Sequence, residues 1–435
     1  MMRKLTNLTP SFPDTEAMSG AVLLAAALVA LVWANSPWDS AYEDLVTQVI
    51  TLDLGPIRLE DDVQRWINDG LMTVFFFVIG LEIKREVLRG ELAGRERALL
   101  PVIAAAGGMI APALIYSAIN TGGDDARGWG IPMATDIAIA LGILALLGRR
   151  VPPQLRIFLL AMAIADDMGS MAVLVLFYAS DVELGWLAGA AAILAGIYAM
   201  RLAGIRPVVA YIPAALLLWL AVFESGVSTA LTGIALALLT PLHENYGPGA
   251  WRFDLRTLAK LFHSAERRDR ELSARPPTGD GGSPLERLER LVQPFASFLI
   301  VPLFVFANVG VSLSSDALED SATSAIALGI VLGRVLGKPL GILLVSWVAV
   351  RLGLASLPPT VRWAHVLGIG MMGGIGFTVA LYVNALAFKS SPQMDAGKIG
   401  IIAATLISGL LAYITLRFVG REAKEPQRTH AGQSE

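Results

Sequence analysis

The chain contains no cysteine among its 435 residues, which excludes disulfides, thiolate zinc sites, iron–sulfur clusters and thiol nucleophiles together. Charge is the second shortage. Only 16% of residues are Asp, Glu, Lys or Arg, whereas soluble domains carry roughly 25%. The formal net charge is −3 and the basic residues are scattered among short connections, so no nucleic-acid surface is expected. Histidine is scarce as well: all four lie near the ends of apolar runs or in polar segments, so imidazole titration is not expected at the mouth of a membrane-embedded site.

What fills the chain instead is apolar sequence, at 55% hydrophobic residues. Runs of about 17 to 25 such residues recur, each long enough to cross a hydrocarbon core of roughly 30 Å as a helix. The pattern predicts an all-α polytopic membrane protein whose principal partner is the lipid bilayer. About twelve spans are expected, at 18–34, 63–88, 98–119, 128–148, 154–179, 184–202, 207–223, 226–241, 286–311, 322–351, 362–387 and 397–419. Arg3 and Lys4 precede the first run in the manner of a secretory signal, but the lead is long and holds Asp14 and Glu16, so an uncleaved first span is expected.

Connections on one side hold Lys84, Arg85, Arg89, Arg95 and Arg97, then Arg149 and Arg150, Arg201 and Arg206, and finally Arg417, Arg421 and Lys424. That side is expected to be cytoplasmic, with both termini on it, in a bacterial inner membrane. Residues 47–60, TQVITLDLGPIRLE, place β-branched residues around a Gly-Pro turn signal and predict a small extracytoplasmic hairpin. Residues 243–283 are Arg-rich and end in PPTGDGGSP, the composition of a cytoplasmic linker. The linker divides residues 1–242, holding spans one to eight, from 284–420, holding spans nine to twelve, ahead of a polar tail at 421–435.

An ionisable side chain at the bilayer centre costs at least roughly 2.5–3.5 kcal/mol, so each one needs a partner, a cavity or a task. The deep ones are Asp136 in IPMATDIAIALGIL, Asp166 and Asp167 in IFLLAMAIADDMGSM, and Lys338 in GRVLGKPLGILL, with Arg334 one turn before it. A single buried Asp–Lys pair would serve packing alone, but three carboxylates against one deep lysine leave an excess that packing does not use. Adjacent residues on a helix point about 100° apart, so Asp166 and Asp167 cannot face the same way. Burial and mutual repulsion hold protons on such a pair until a cation displaces them. Carboxylates, the Thr135 hydroxyl and freed backbone carbonyls are hard oxygen ligands suited to Na+ or Li+.

Helix interruption is the second signal, because Pro132 lies one turn before Asp136 and Gly373, Gly374 and Gly376 interrupt MMGGIGFTVALY. These segments are fourth and eleventh, the middle members of two three-span groups (the first about 98–179), which predicts inverted repeats with two broken, crossing helices. Asp136 is expected to balance the positive half-helix N-termini there, and Lys338 the negative C-termini. A charged cluster at the cytoplasmic end of the second span presents Glu82, Lys84, Arg85 and Glu86, while Glu286, Arg287, Glu289 and Arg290 open the ninth. Its alternatives are a solvated helix end and a cation-attracting funnel.

The stretches WINDGLMTVFFFVIGLEIKRE, PVIAAAGGMIAPALIY, IPMATDIAIALGILALLG, FLLAMAIADDMGSM, LIVPLFVFANVGVSL, GKPLGI and GGIGFTVALY together resemble the NhaA family of sodium/proton antiporters. The resemblance implies electrogenic exchange of Na+ or Li+ for protons. It makes Asp167 and Asp166 the ion-binding, proton-exchanging pair, Thr135 and Asp136 the residues at the crossing, and Lys338 the intramembrane lysine. It further implies supporting acids at Asp69 and Glu82, pH sensing by Arg85, Glu86 and Glu289, and a homodimer formed through the 47–60 hairpin. No cofactor and no enzymatic activity are implied, since the ions are cargo. The chain departs from the family with Ser228 where histidine often follows SGV, and with Glu286, Arg290 and Gln293 flanking the ninth span. Two rival functions fit the sequence less well. An organic-solute transporter on the same fold needs a roomier polar cavity than the Ala, Ile, Leu and Gly around Asp166 offer. An intramembrane aspartyl protease needs a GxGD signature that no span contains.

Overall fold

The computed structural model describes residues 12–53, 58–90, 92–179, 182–203, 205, 208–241, 284–358 and 360–422. Gly55 and Pro56 of the expected turn, the 243–283 linker and the tail beyond Glu422 lie outside the described residues.

Helix α1 (Phe12–Ala34) ends where the chain turns by 117° into α2 (Asp39–Thr47). Strands β1 (Val49–Asp53) and β2 (Arg58–Asp62) then pair antiparallel, with Val49 opposite Asp62 and Asp53 opposite Arg58. The hairpin therefore sits about two residues later than its sequence pattern indicates, since α2 absorbs Thr47 and β2 continues to Asp62. There the Asp62 side chain accepts from the Arg65 amide at 2.7 Å and caps the start of α3 (Val63–Arg89).

Among the described residues twelve further helices follow in two groups. The first holds α4 (Arg95–Ile119), α5 (Ile137–Leu147) and α6 (Pro153–Phe177), and α7 (Leu184–Leu202), α8 (Val208–Glu224) and α9 (Ala230–Leu239) come next. The second group begins with α10 (Pro284–Val309), a short α11 (Ser315–Thr323) and α12 (Ala325–Arg351). It closes with α13 (Trp363–Gly373), α14 (Thr378–Ala387) and α15 (Ser391–Glu422). Among the described residues seven helices are long and apolar enough to cross a membrane, or nine if each of two bent pairs is one span, and three shorter apolar helices accompany them.

The fourth segment, expected at 128–148 with an interruption near Pro132, is broken ahead of Ile137. It starts as a 3-10 helix over Asp124–Gly130 and runs without helix through 134–136 before α5 begins. Pro132 supplies no amide for a helical bond, and Gly128 and Gly130 press against the hydroxyls of Tyr116 and Tyr178.

Small residues set the closest packing. Gly107 of α4 and Gly341 of α12 face each other so closely that a Cβ on either would collide with the other's carbonyl oxygen. Ahead of that contact α12 contains a π turn over Gly333–Gly337, placed where Pro339 offers no amide to the Val335 carbonyl. Burial identifies the centre of the bundle: 61% of the apolar stretch of α6 is buried, against 11% for α7. The helix carrying the aspartate pair is thus enclosed by protein, while α7 turns most of its surface to lipid.

Candidate ion-binding site

Two interrupted segments meet beside α6. The α13–α14 pair is bent by 48° across a break at residues 374–377, and residues 134–136 form the corresponding break before α5. They are joined by backbone, since the Asp136 amide donates to the Ile375 carbonyl at 2.7 Å. A Cβ at Gly376 would collide with the Ala134 carbonyl and the Arg334 guanidinium, so only glycine fits where the chains cross.

Breaking two helices inside a membrane exposes backbone groups that lipid cannot satisfy. Asp136 serves the amide ends. Its Oδ1 accepts from the Ile139 amide at 3.2 Å, capping α5, and its Oδ2 accepts from the Thr378 hydroxyl at 2.9 Å and amide at 3.4 Å at the start of α14. One carboxylate thereby faces the positive ends of two half-helices. The carbonyl ends are met by Arg334, which is fully buried and donates to Gly376 O and, at 2.8 Å, to Ile131 O. Thr405 of α15 also donates to Gly376 O, at 3.0 Å.

Lys338 therefore does not meet those carbonyls, as the sequence reading expects it to. Its ammonium lies 2.6 Å from Asp166 Oδ2 and 3.0 Å from Thr135 Oγ1, with both side chains of the ion pair 1% exposed. The Thr135 hydroxyl has one proton and two acceptors in reach, Asp166 Oδ2 at 2.7 Å and Gly373 O at 2.9 Å. Desolvation makes such a buried pair a weak source of net stability, and an ion that offers the carboxylate a better partner can replace the ammonium.

Asp167 is also buried, turned away from that pair but within electrostatic reach of Asp166, Glu82, Asp136 and Lys338. The Oδ1 atoms of both Asp166 and Asp167 have no hydrogen-bond partner among the described residues. Carboxylate oxygens buried in this way need a proton or a cation. Such oxygens are hard ligands of the kind that suit a small hard cation.

The structure thus gathers Asp166, Asp167, Thr135, Asp136 and Lys338 into one place, with Glu82 of α3 at its edge. Asp69 lies elsewhere, thirteen residues or about 20 Å back along α3, where its Oδ1 accepts from Thr229 at 3.1 Å and its Oδ2 stands 3.8 Å from Arg65 Nε. Ser228, beside it, shares a 3.0 Å hydrogen bond with the Tyr382 hydroxyl of α14. Towards the other end of α3, Arg85 pairs with Glu289 of α10 at 2.7 Å and with Glu86 at 3.2 Å, and Arg89 with Glu286 at 3.2 Å. Sequence reasoning had not given Arg334 or Thr378 a role. The available signals were a second cation one turn before Lys338, and a hydroxyl directly after the glycine-rich break.

Comparison with known proteins matches residues 11–416 to the family model described as Na+/H+ antiporter 1. The chain is 43% identical over 426 residues to a Na(+)/H(+) antiporter NhaA 2 of Sorangium cellulosum, covering 96% of this chain and 91% of that protein. It is 41% identical to a Na(+)/H(+) antiporter NhaA of Syntrophobacter fumaroxidans, over 93% and 89% of the two chains. It is 43% identical to one of Bordetella parapertussis, over 94% and 96%.

Proposed function

This chain belongs to the Na+/H+ antiporter 1 family, and from that premise we propose that it exchanges Na+ or Li+ for protons by alternating access at Asp166 and Asp167. The observation that carries the mechanism is the state of the aspartate oxygens. Asp166 Oδ2 is held by Lys338 and Thr135, while the Oδ1 atoms of both aspartates are buried without partners among the described residues. With no cation present Asp167 carries a proton, and Asp166 is paired with the Lys338 ammonium. An arriving Na+ takes both carboxylates as anionic ligands, displaces the Asp167 proton and replaces the Lys338 ammonium, which gives up a second proton once it has lost its carboxylate. Up to two protons therefore leave per ion, so the exchange moves net charge. No cofactor takes part.

The crossing supplies the moving part. Asp136, Thr378 and Arg334 satisfy the broken backbone, so the two half-helices shift as units while the site changes the side on which it opens. Asp69 and Thr229 line the extracytoplasmic approach, and Glu82 with the Arg85, Glu86 and Glu289 cluster lines the cytoplasmic mouth, where its charges attract cations and respond to pH.

The finer topology is part of the same proposal. The seven long helices, two bent pairs and three shorter apolar helices correspond to twelve crossings in a bacterial inner membrane, with basic connections and both termini inside. Helices α4 to α6 and α12 to α15 form two inverted repeats around the crossing. The hairpin then lies on the extracytoplasmic side, where the exposed Val49, Ile50 and Leu52 of β1 offer an apolar edge to a second copy.

Reconstitution into proteoliposomes with Asp167→Asn tests the central claim. Exchange driven by a pH gradient is expected to vanish, and full activity in that variant would overturn the site.

A further inference from the structure

Ser170 lies on α6 one turn beyond the aspartate pair, is 5% exposed, and has no partner for its hydroxyl among the described residues. A serine inside a helix ordinarily turns its hydroxyl back to the carbonyl one turn earlier. This one does not. The side-chain oxygens of α6 that are buried without partners among the described residues are Asp166 Oδ1, Asp167 Oδ1 and Ser170 Oγ, all within a five-residue stretch.

Their directions are related by helix geometry. Taking Asp166 as the origin, Asp167 stands about 100° round the axis, and Ser170, four residues on, about 40° round. Ser170 therefore points between the diverging carboxylates, displaced along the axis by about 4.5–6 Å. Each Cα–Cβ bond tilts towards the helix N-terminus, so the hydroxyl leans back towards the pair. On the preceding turn the residue at the corresponding direction is Ala163, which is fully buried and has no ligand to offer.

We propose that Ser170 Oγ is a ligand of the transported cation, closing the gap between Asp166 and Asp167 on the side of the site nearest the C-terminus of α6. The inference rests on the exchange site proposed above and adds a residue to it. Two carboxylates splayed apart cannot by themselves surround a small ion, and a hydroxyl between them supplies a third hard oxygen. Because the hydroxyl is neutral, it contributes to ion affinity and leaves the number of exchanged protons unchanged. Lithium, which needs fewer ligands, depends on it less than sodium does.

The test uses everted membrane vesicles carrying full-length Ser170→Ala, Ser170→Cys and Ser170→Thr variants. The apparent KM for Na+ is expected to rise about five- to tenfold in the Ala and Cys variants, as for loss of one buried polar interaction. The maximal rate and the pH profile should stay within about twofold of the parent, the KM for Li+ should rise less, and Thr should restore the Na+ value. An unchanged Na+ KM in Ser170→Ala, or a lowered rate at unchanged KM, overturns the proposal. Because the chain has no cysteine, Ser170→Cys also places a unique thiol in the site of the purified protein. Na+ but not choline should slow its reaction with a methanethiosulfonate reagent, and equal rates in the two salts overturn the proposal even if the Ala variant fails to accumulate. If Asp167→Asn abolishes exchange while Ser170→Ala keeps the parent KM, the role of Ser170 falls alone. If Asp167→Asn retains exchange, the exchange site itself falls.

Discussion

Replacing Arg334 by leucine removes the only cation among the described residues that meets the carbonyl ends of the crossing. The guanidinium makes two charge-assisted hydrogen bonds, to Gly376 O and Ile131 O, from a fully buried position. Each such bond contributes about 1.5–3 kcal/mol, for a gross loss of roughly 3–6 kcal/mol. Two features place the net effect at the lower end. Thr405 still donates to Gly376 O, and the leucine relieves the burial of a guanidinium whose Nε has no partner among the described residues. A net loss of about 3 kcal/mol shifts the balance between intact and opened crossing by roughly a hundredfold. In detergent, Arg334→Leu should therefore melt several degrees below the parent by fluorescence-detected size exclusion. Arg334→Lys, which has one ammonium to place between two separated carbonyls, should fall in between. Melting of both variants within a degree of the parent would refute the clamp.

Two further outcomes concern the face outside the bilayer. Because the chain has no cysteine, single cysteines placed in turn from Val49 to Asp53 can form only intermolecular disulfides. Dimerisation through β1 should yield a crosslink in membranes at one or two of the five positions, where partner Cα atoms come within about 7 Å, and absence at all five would exclude it. Burial pushes the Asp61 carboxyl up from its ordinary value, with the Arg65 charge 3.0 Å away offsetting part of the effect. A carboxyl raised by folding favours the folded state when protonated, so its contribution is present at acid pH and is lost as pH rises through the ordinary value to the folded one. Asp61→Asn should accordingly flatten the rise in hairpin protease sensitivity between acid and neutral pH, and an unaltered pH profile would exclude that linkage.

Much of the candidate site is legible in the sequence because the membrane makes charge conspicuous. Asp136, Asp166, Asp167 and Lys338 stand out from long apolar runs, and the glycines from 373 to 376 mark a break that the structure places where α13 gives way to α14. The 3-10 start of the fourth segment was not legible in the same way. Pro132 signals an interruption, but the form taken by the chain before it depends on the packing of Gly128 and Gly130 against Tyr116 and Tyr178.

By itself, then, the sequence determines that this chain lives in a bilayer, which of its ionisable groups are carried to depth, and that adjacent aspartates on one helix must diverge. Each follows from local causes: the length of an apolar run, the penalty for a buried charge, and about 100° per residue. Only the tertiary structure decides that Asp166 takes Lys338, that Asp136 spans two helix starts, and that the carbonyl ends belong to Arg334. Those partners are separated by tens to hundreds of positions, 42 from Arg334 to Gly376 and 203 from Arg334 to Ile131. No periodicity links such positions; they meet because Gly376 lets two backbones pass closely enough for one guanidinium to serve both.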